Sequence, residues 1–199
     1  MGKQPSYPSL SAKICCLAVV AGAAWSMAAS QAFAVATWIG SWDYVLRHDQ
    51  EGKPQAAFAR LQGVDDSLLW LTCYRYSANG DQPQTVSVAA AVSQKSYLGH
   101  SSIRGRSTVY WFDDGSPELG YWMYRGRVGQ IADREQVNLF LDKLAGAQTL
   151  VVELSNYRLE PQRSEFQLNA ADTKTVADKF RQDCRDISSL AGGNTAWVR

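Results

Sequence analysis

The chain reads as an α+β domain: an antiparallel, sandwich-like β-sheet with two helices in its C-terminal half, one tied to the sheet by a disulfide. Three observations predict this. Apolar residues recur with period two in short runs from Trp38 to about Tyr124, the spacing of half-buried strands. After Asp133 the period lengthens to that of a helix, shortens again, and lengthens once more near Asp172. Strands gathered first and helices later belong to α+β rather than strictly alternating architecture. Finally, Cys73 falls in a strand-like run and Cys184 in a helical one.

Each element has a local reason. Residues 41–48 (SWDYVLRH) alternate, with Trp42, Tyr44 and Leu46 on one face. Residues 68–76 (LLWLTCYRY) put Leu69, Leu71 and Cys73 on one side and Leu68, Trp70 and Thr72 on the other. Such two-sided apolarity marks a central strand. Residues 85–92 (TVSVAAAV) form a lighter strand, preceded by the turn chemistry of Asn79-Gly80-Asp81. Residues 107–112 and 119–125 flank Asp113-Asp114-Gly115-Ser116-Pro117-Glu118, which reads as a hairpin turn. Asp133, with Gln136 three residues on, caps a helix carrying Val137, Phe140, Leu141 and Leu144, which Gly146 closes. Residues 149–154 and 165–168 return to strand. A second helix starts near Asp172, with Val176, Phe180, Cys184 and Ile187 along one stripe.

Residues 1–34 read as an export signal. Lys3 and Lys13 precede or border an apolar core at 14–24 (ICCLAVVAGAA), and Ala32-Phe33-Ala34 is a small-x-small cleavage site. The mature chain is then periplasmic or secreted. It is expected to comprise one globular domain over 35–190 and a tail over 191–199, loosened by Gly192-Gly193-Asn194. The leader holds two lysines and no acid, so its removal takes the formal charge from +1 to −1. A nearly neutral chain without a basic block lacks the footprint of a nucleic-acid binder. No later apolar run approaches the ~20 residues of a membrane span.

Cys15 and Cys16 open the apolar core instead of following it, which is not the place of a lipid-anchored cysteine. Cys73 and Cys184 remain, 111 positions apart. In an oxidising compartment two remaining cysteines favour each other; the alternative is two separate buried thiols. If they pair, the last helix is stapled to the inner strand. No CxxC or Cys/His spacing supports a zinc site, and no metal or cofactor is expected.

Catalytic motifs are lacking. The two histidines, His48 and His100, stand in no recognisable setting: residues 99–102 are not a G-x-S-x-G elbow, and no H-E-x-x-H helix occurs. Asp113, Asp114 and Glu118 lack the ligand spacing of an EF-hand and read as a solvated turn. No carboxylate pair stands out for glycoside hydrolysis. The unusual composition is the hairpin itself: Tyr110, Trp111 and Phe112 in one strand against Tyr121, Trp122 and Tyr124 in the next. Alternation sends these rings to both faces, so the hairpin is either covered on both or presents one as a binding surface. In the simplest register Arg104, Arg106, Arg125 and Arg127 gather at its open end. The candidate surface is therefore Tyr110, Trp111, Tyr121, Trp122 and Tyr124 with Arg106 and Arg125, since arginine beside aromatic rings suits protein interfaces.

Over about residues 42 to 184 the chain resembles the VasI-like small exported proteins, a family associated with type VI secretion. The resemblance lies in the strand ending in Cys73, the aromatic strand leading to Asp113-Asp114, and Trp122. It continues through the Phe140/Leu141/Leu144 helix, the apolar strand 150–154, and Phe166-x-Leu168 leading to a helix that ends in Cys184. Where an arginine is expected before the aspartate, this chain has Trp111 and Phe112, and that arginine's role is not carried over. The resemblance implies an exported fold and an accessory role in secretion. The leading expectation is thus a non-enzymatic envelope protein that binds an envelope or secretion-system protein. The alternatives are a glycan or small-ligand binding module and an unrecognised hydrolase.

Overall fold

The computed structural model describes residues 34–77 and 84–191. Among the described residues eleven strands precede, separate or follow two helices: β1 Ala34–Ile39, β2 Trp42–His48, β3 Pro54–Gln62, β4 Leu68–Tyr76, β5 Thr85–Ser93, β6 Gly99–His100, β7 Arg106–Phe112, β8 Glu118–Gly126, β9 Val128–Ile131, α1 Arg134–Leu144, β10 Thr149–Ser155, β11 Pro161–Gln167 and α2 Ala170–Ser189. All pairings are antiparallel, in the order β1-β2-β3-β4-β5-β9-β8-β7-β10-β11, with β6 added beside β8. The α+β class with two C-terminal helices is therefore the architecture found. Most of the export signal, the turn at 79–81 and the tail from 192 lie outside the described residues.

The sheet closes around its helices. One face of every long strand feeds a common core: Trp42 and Tyr44, Ala57 and Ala59, Leu69 and Leu71, Val88 and Ala90, Trp122 and Tyr124, Leu150 and Val152, and Phe166. Val137, Phe140, Leu141 and Leu144 of α1 and Val176, Phe180, Cys184 and Ile187 of α2 fill that face. The far end of the sheet, β11, folds back onto the β3–β4 loop and the end of β5. The Val64 N–H donates to the Glu165 carbonyl at 2.9 Å, and Gln94 Nε2 donates to the Gln162 carbonyl and Ser164 Oγ. Gly63 permits this approach, since a Cβ there would lie 2.9 Å from both the Glu165 carbonyl oxygen and the Phe166 ring.

Both helices begin as their caps dictate. Asp133 accepts from the Gln136 N–H at 2.9 Å. Asn169 accepts from the N–H groups of Ala171 and Asp172, so α2 starts slightly before Asp172. Cys184 on α2 is bonded to Cys73 on β4, both fully buried, with Cα atoms 5.7 Å apart. Two polar clamps reinforce this docking. Trp42 Nε1 donates to Thr173 Oγ1 at 3.3 Å. Tyr44 donates to Asp183 Oδ2 at 2.6 Å, and Lys179 bonds the same oxygen. Burial first, and then the Asp183 carboxylate, push the Tyr44 phenol far above its ordinary pKa.

Candidate functional site

The aromatic hairpin divides its side chains between core and solvent. Its register pairs Arg106 with Trp122, Thr108 with Gly120, Val109 with Leu119, and Tyr110 with Glu118. Directly paired residues share a face. Arg106, Thr108, Tyr110, Gly120, Trp122 and Tyr124 therefore lie toward the helices, while Val109, Trp111, Leu119, Tyr121 and Arg125 lie outward.

The inward set is structural. Trp122 and Tyr124 are fully buried. Phe140 of α1 stands at the centre of a ring cluster, 5.8 Å from Tyr110, 6.2 Å from Trp122 and 5.4 Å from Phe112. The Tyr124 hydroxyl bonds Thr108 Oγ1 at 2.8 Å and accepts from the Ser155 N–H. Arg106 is a cross-link, not a free cation. Its guanidinium lies over the Tyr124 ring at 4.6 Å and donates to the carbonyls of Leu98, Ser155, Asn156 and His100. Trp122, Tyr124 and Arg106 are thus unavailable to a partner approaching the outer face. The arginine cluster expected at the open end does not form as drawn, because Arg106 points inward and Arg125 outward.

The outward set forms a different surface from the one the sequence suggested. Tyr121 is 65% exposed and Leu119 63%, with half-buried Val109 and Trp111 beside them on β7. Strand β10 pairs with β7, and β11 with β10, which brings Arg163 to this face. Its guanidinium stacks on Trp111 at 5.3 Å. Leu119 and Val109 were legible from their alternation with Tyr121 and Trp111. Arg163 left no local signal, because a non-local strand pairing puts it there.

The acidic insert is partly tied down. Asp113 adopts φ +49° and its Oδ1 accepts from the N–H groups of Gln148 and Thr149, each at 2.8 Å. Glu118 accepts from Lys143 Nζ of α1 at 2.6 and 2.5 Å. Tyr110 beside them has a raised pKa, through burial first and then the Glu118 charge. Between this hairpin and α1 lies a cavity of about 220 Å³.

A second, polar cleft of about 650 Å³ lies near the C-terminal end of α2. Buried Arg75 is fully engaged there: it donates to the Pro54 carbonyl and Gln84 Oε1, and it pairs with Asp49. Of the histidines, His48 closes β2, and exposed His100 contacts the Tyr97 hydroxyl at 3.3 Å. Among the described residues no group of three or more His, Cys, Asp or Glu converges on a metal position, and no helix is long and apolar enough to cross a membrane. Comparison with family models, curated proteins and solved structures finds no match to this chain.

Proposed function

We propose that this chain is an exported, non-enzymatic protein of the cell envelope that works by binding another protein through the solvent face of the β7–β8 hairpin. The observation that carries this reading is the apolar strip of Tyr121, Leu119, Val109 and Trp111, bordered by Arg163 and Arg125. The same hairpin already spends its inner rings on the core, so packing of the described fold does not account for the exposed Tyr121 and Leu119. Aromatic, leucine and arginine side chains on a rigid strand pair suit an interface centre, where little side-chain freedom is lost on docking.

The compartment rests on the leader-like residues 1–34 and on the Cys73–Cys184 bond, since structural disulfides persist in oxidising surroundings. The resemblance to VasI-like proteins makes a secretion-system component the first partner to test.

The test is capture from an envelope extract with Tyr121→Ser and Leu119→Ser combined. Both side chains face solvent, so the fold is expected to stay intact while the captured partner is lost. An unchanged set of captured proteins, with unchanged thermal stability, refutes the reading. Trp122→Ala serves as the contrasting control. It empties a fully buried site and is expected to cost about 3–5 kcal/mol, so any loss of capture with it reports unfolding.

A further inference from the structure

The cavity behind the hairpin carries an unmet chemical demand. Trp122 Nε1 is buried and has no hydrogen-bond partner. A buried indole N–H ordinarily finds an acceptor, as Trp42 does in Thr173 of this same core. Because residue 120 is glycine, this N–H and the Tyr110 ring pack close over the strand at the cavity wall. A Cβ there would lie 3.0 Å from Trp122 Nε1 and 3.2 Å from the Tyr110 ring. Gly120 sits within a strand and its φ is not in the left-handed region, so its backbone does not require glycine. Glycine inside a strand often marks a close approach, here that of the Trp122 indole and the Tyr110 ring.

We propose that this cavity binds a secondary amide carrying a short acyl chain, with the amide carbonyl oxygen accepting from the Trp122 indole N–H. The walls and rim match the rest of such a group. Ile131 and Leu139 offer apolar surface to the acyl chain. Glu118 at the rim can accept from the amide N–H, because its oxygens keep lone pairs beyond those used by Lys143. Glu118 and Lys143 neutralise each other at the rim, which suits a neutral amide better than a lone anionic or cationic group. At about 220 Å³ the cavity falls below the ~300–1,000 Å³ that enclose a drug-sized molecule. It therefore holds one group of a larger compound, whose remainder lies outside. N-acylated sugars and N-acylated amino acids both present this chemistry. The inference goes beyond the partner-binding reading and shares Leu119 with it, but it is read at the Trp122 indole, which that reading leaves in the core, so the two fail separately.

The test follows the indole proton of Trp122 by ¹H–¹⁵N correlation on the folded protein, with its resonance assigned from Trp122→Phe. N-acetylglucosamine and N-acetylalanine methyl ester are titrated in separate arms, against glucosamine and alanine methyl ester. The expected result is a saturable downfield shift of that one resonance with an acetylated compound and none with its free amine. The arm that responds identifies the source. Glu118→Ala, at the partly exposed rim, is expected to weaken binding about tenfold or more, as for loss of one hydrogen bond to a charged group. Gly120→Ala is expected to abolish the shift, and if that variant does not fold, Glu118→Ala decides. An indole resonance unmoved by both acetylated compounds at tens of millimolar overturns the proposal. So does an equal response to the free amines, or unchanged affinity in Glu118→Ala.

Discussion

Replacing Cys73 and Cys184 together by alanine opens a cross-link that spans 111 residues. In the chain-entropy account, closing a loop of that length removes about 16 cal/mol/K from the unfolded chain, or about 4.8 kcal/mol at 25 °C. Both sulfurs are fully buried, so each truncation also leaves a small void, adding on the order of 1 kcal/mol. With an unfolding entropy near 2.1 cal/mol/K per residue over roughly 150 residues, the loop term alone lowers Tm by about 15 °C. The assay is urea unfolding followed by tryptophan fluorescence, comparing the oxidised protein with the double variant. If the bond acts through the unfolded state, the variant's midpoint falls and its m-value rises, because the freed chain exposes more surface on unfolding. A loss below about 2 kcal/mol with an unchanged m-value would refute the loop-closure reasoning. Two alkylatable thiols in the exported protein would refute the bond itself.

Asp113 holds the hairpin turn to the start of β10. Asp113→Ala is expected to cost about 1–3 kcal/mol by leaving two N–H groups without their acceptor, whereas Asp113→Asn, which tolerates the same positive φ, should retain part of that; urea midpoints distinguish them. The Asp49 carboxyl is held below its ordinary pKa by the Lys53 N–H, and further by the Glu51 N–H and Arg75. The folded chain therefore binds that proton less readily than the unfolded chain, so the contribution is complete above about pH 4 and is lost as pH falls through the depressed value. Asp49→Asn should flatten the acid limb of stability against pH, and an unaltered limb would show that these bonds contribute nothing.

Periodicity was enough to find the elements whose inner faces are large and apolar. Trp42 and Tyr44, Leu69 to Cys73, and the stripes of both helices all face the core as their spacing required. Strand β3 is harder to recognise, because its inward residues are Ala57, Ala59 and Leu61. Alanine disfavours strands in isolation, but small side chains are what α2 needs to lie close against the sheet. β1 and β9 are short, and no local pattern separates them from loop. The hairpin was legible as an object, while the division of its rings was not. Two aromatic strands in sequence say only that rings alternate. The placement of α1 against one face determines that Trp122 and Tyr124 are core and Tyr121 is not.

What the amino-acid sequence determined by itself is therefore local: strand and helix periods, the cap at Asp133, and a pair of cysteines suited to one another. What tertiary structure alone decided is which face each strand buries and which distant residues meet. Arg163 reaches Trp111 through two strand pairings, and Arg106 is consumed by carbonyls of two separate segments, 98–100 and 155–156. The indole of Trp122 is left unpaired beside Gly120 because α1, Tyr110 and β8 converge there. Hydrophobic spacing is encoded within a few residues, whereas hydrogen-bond satisfaction depends on contacts across the whole chain.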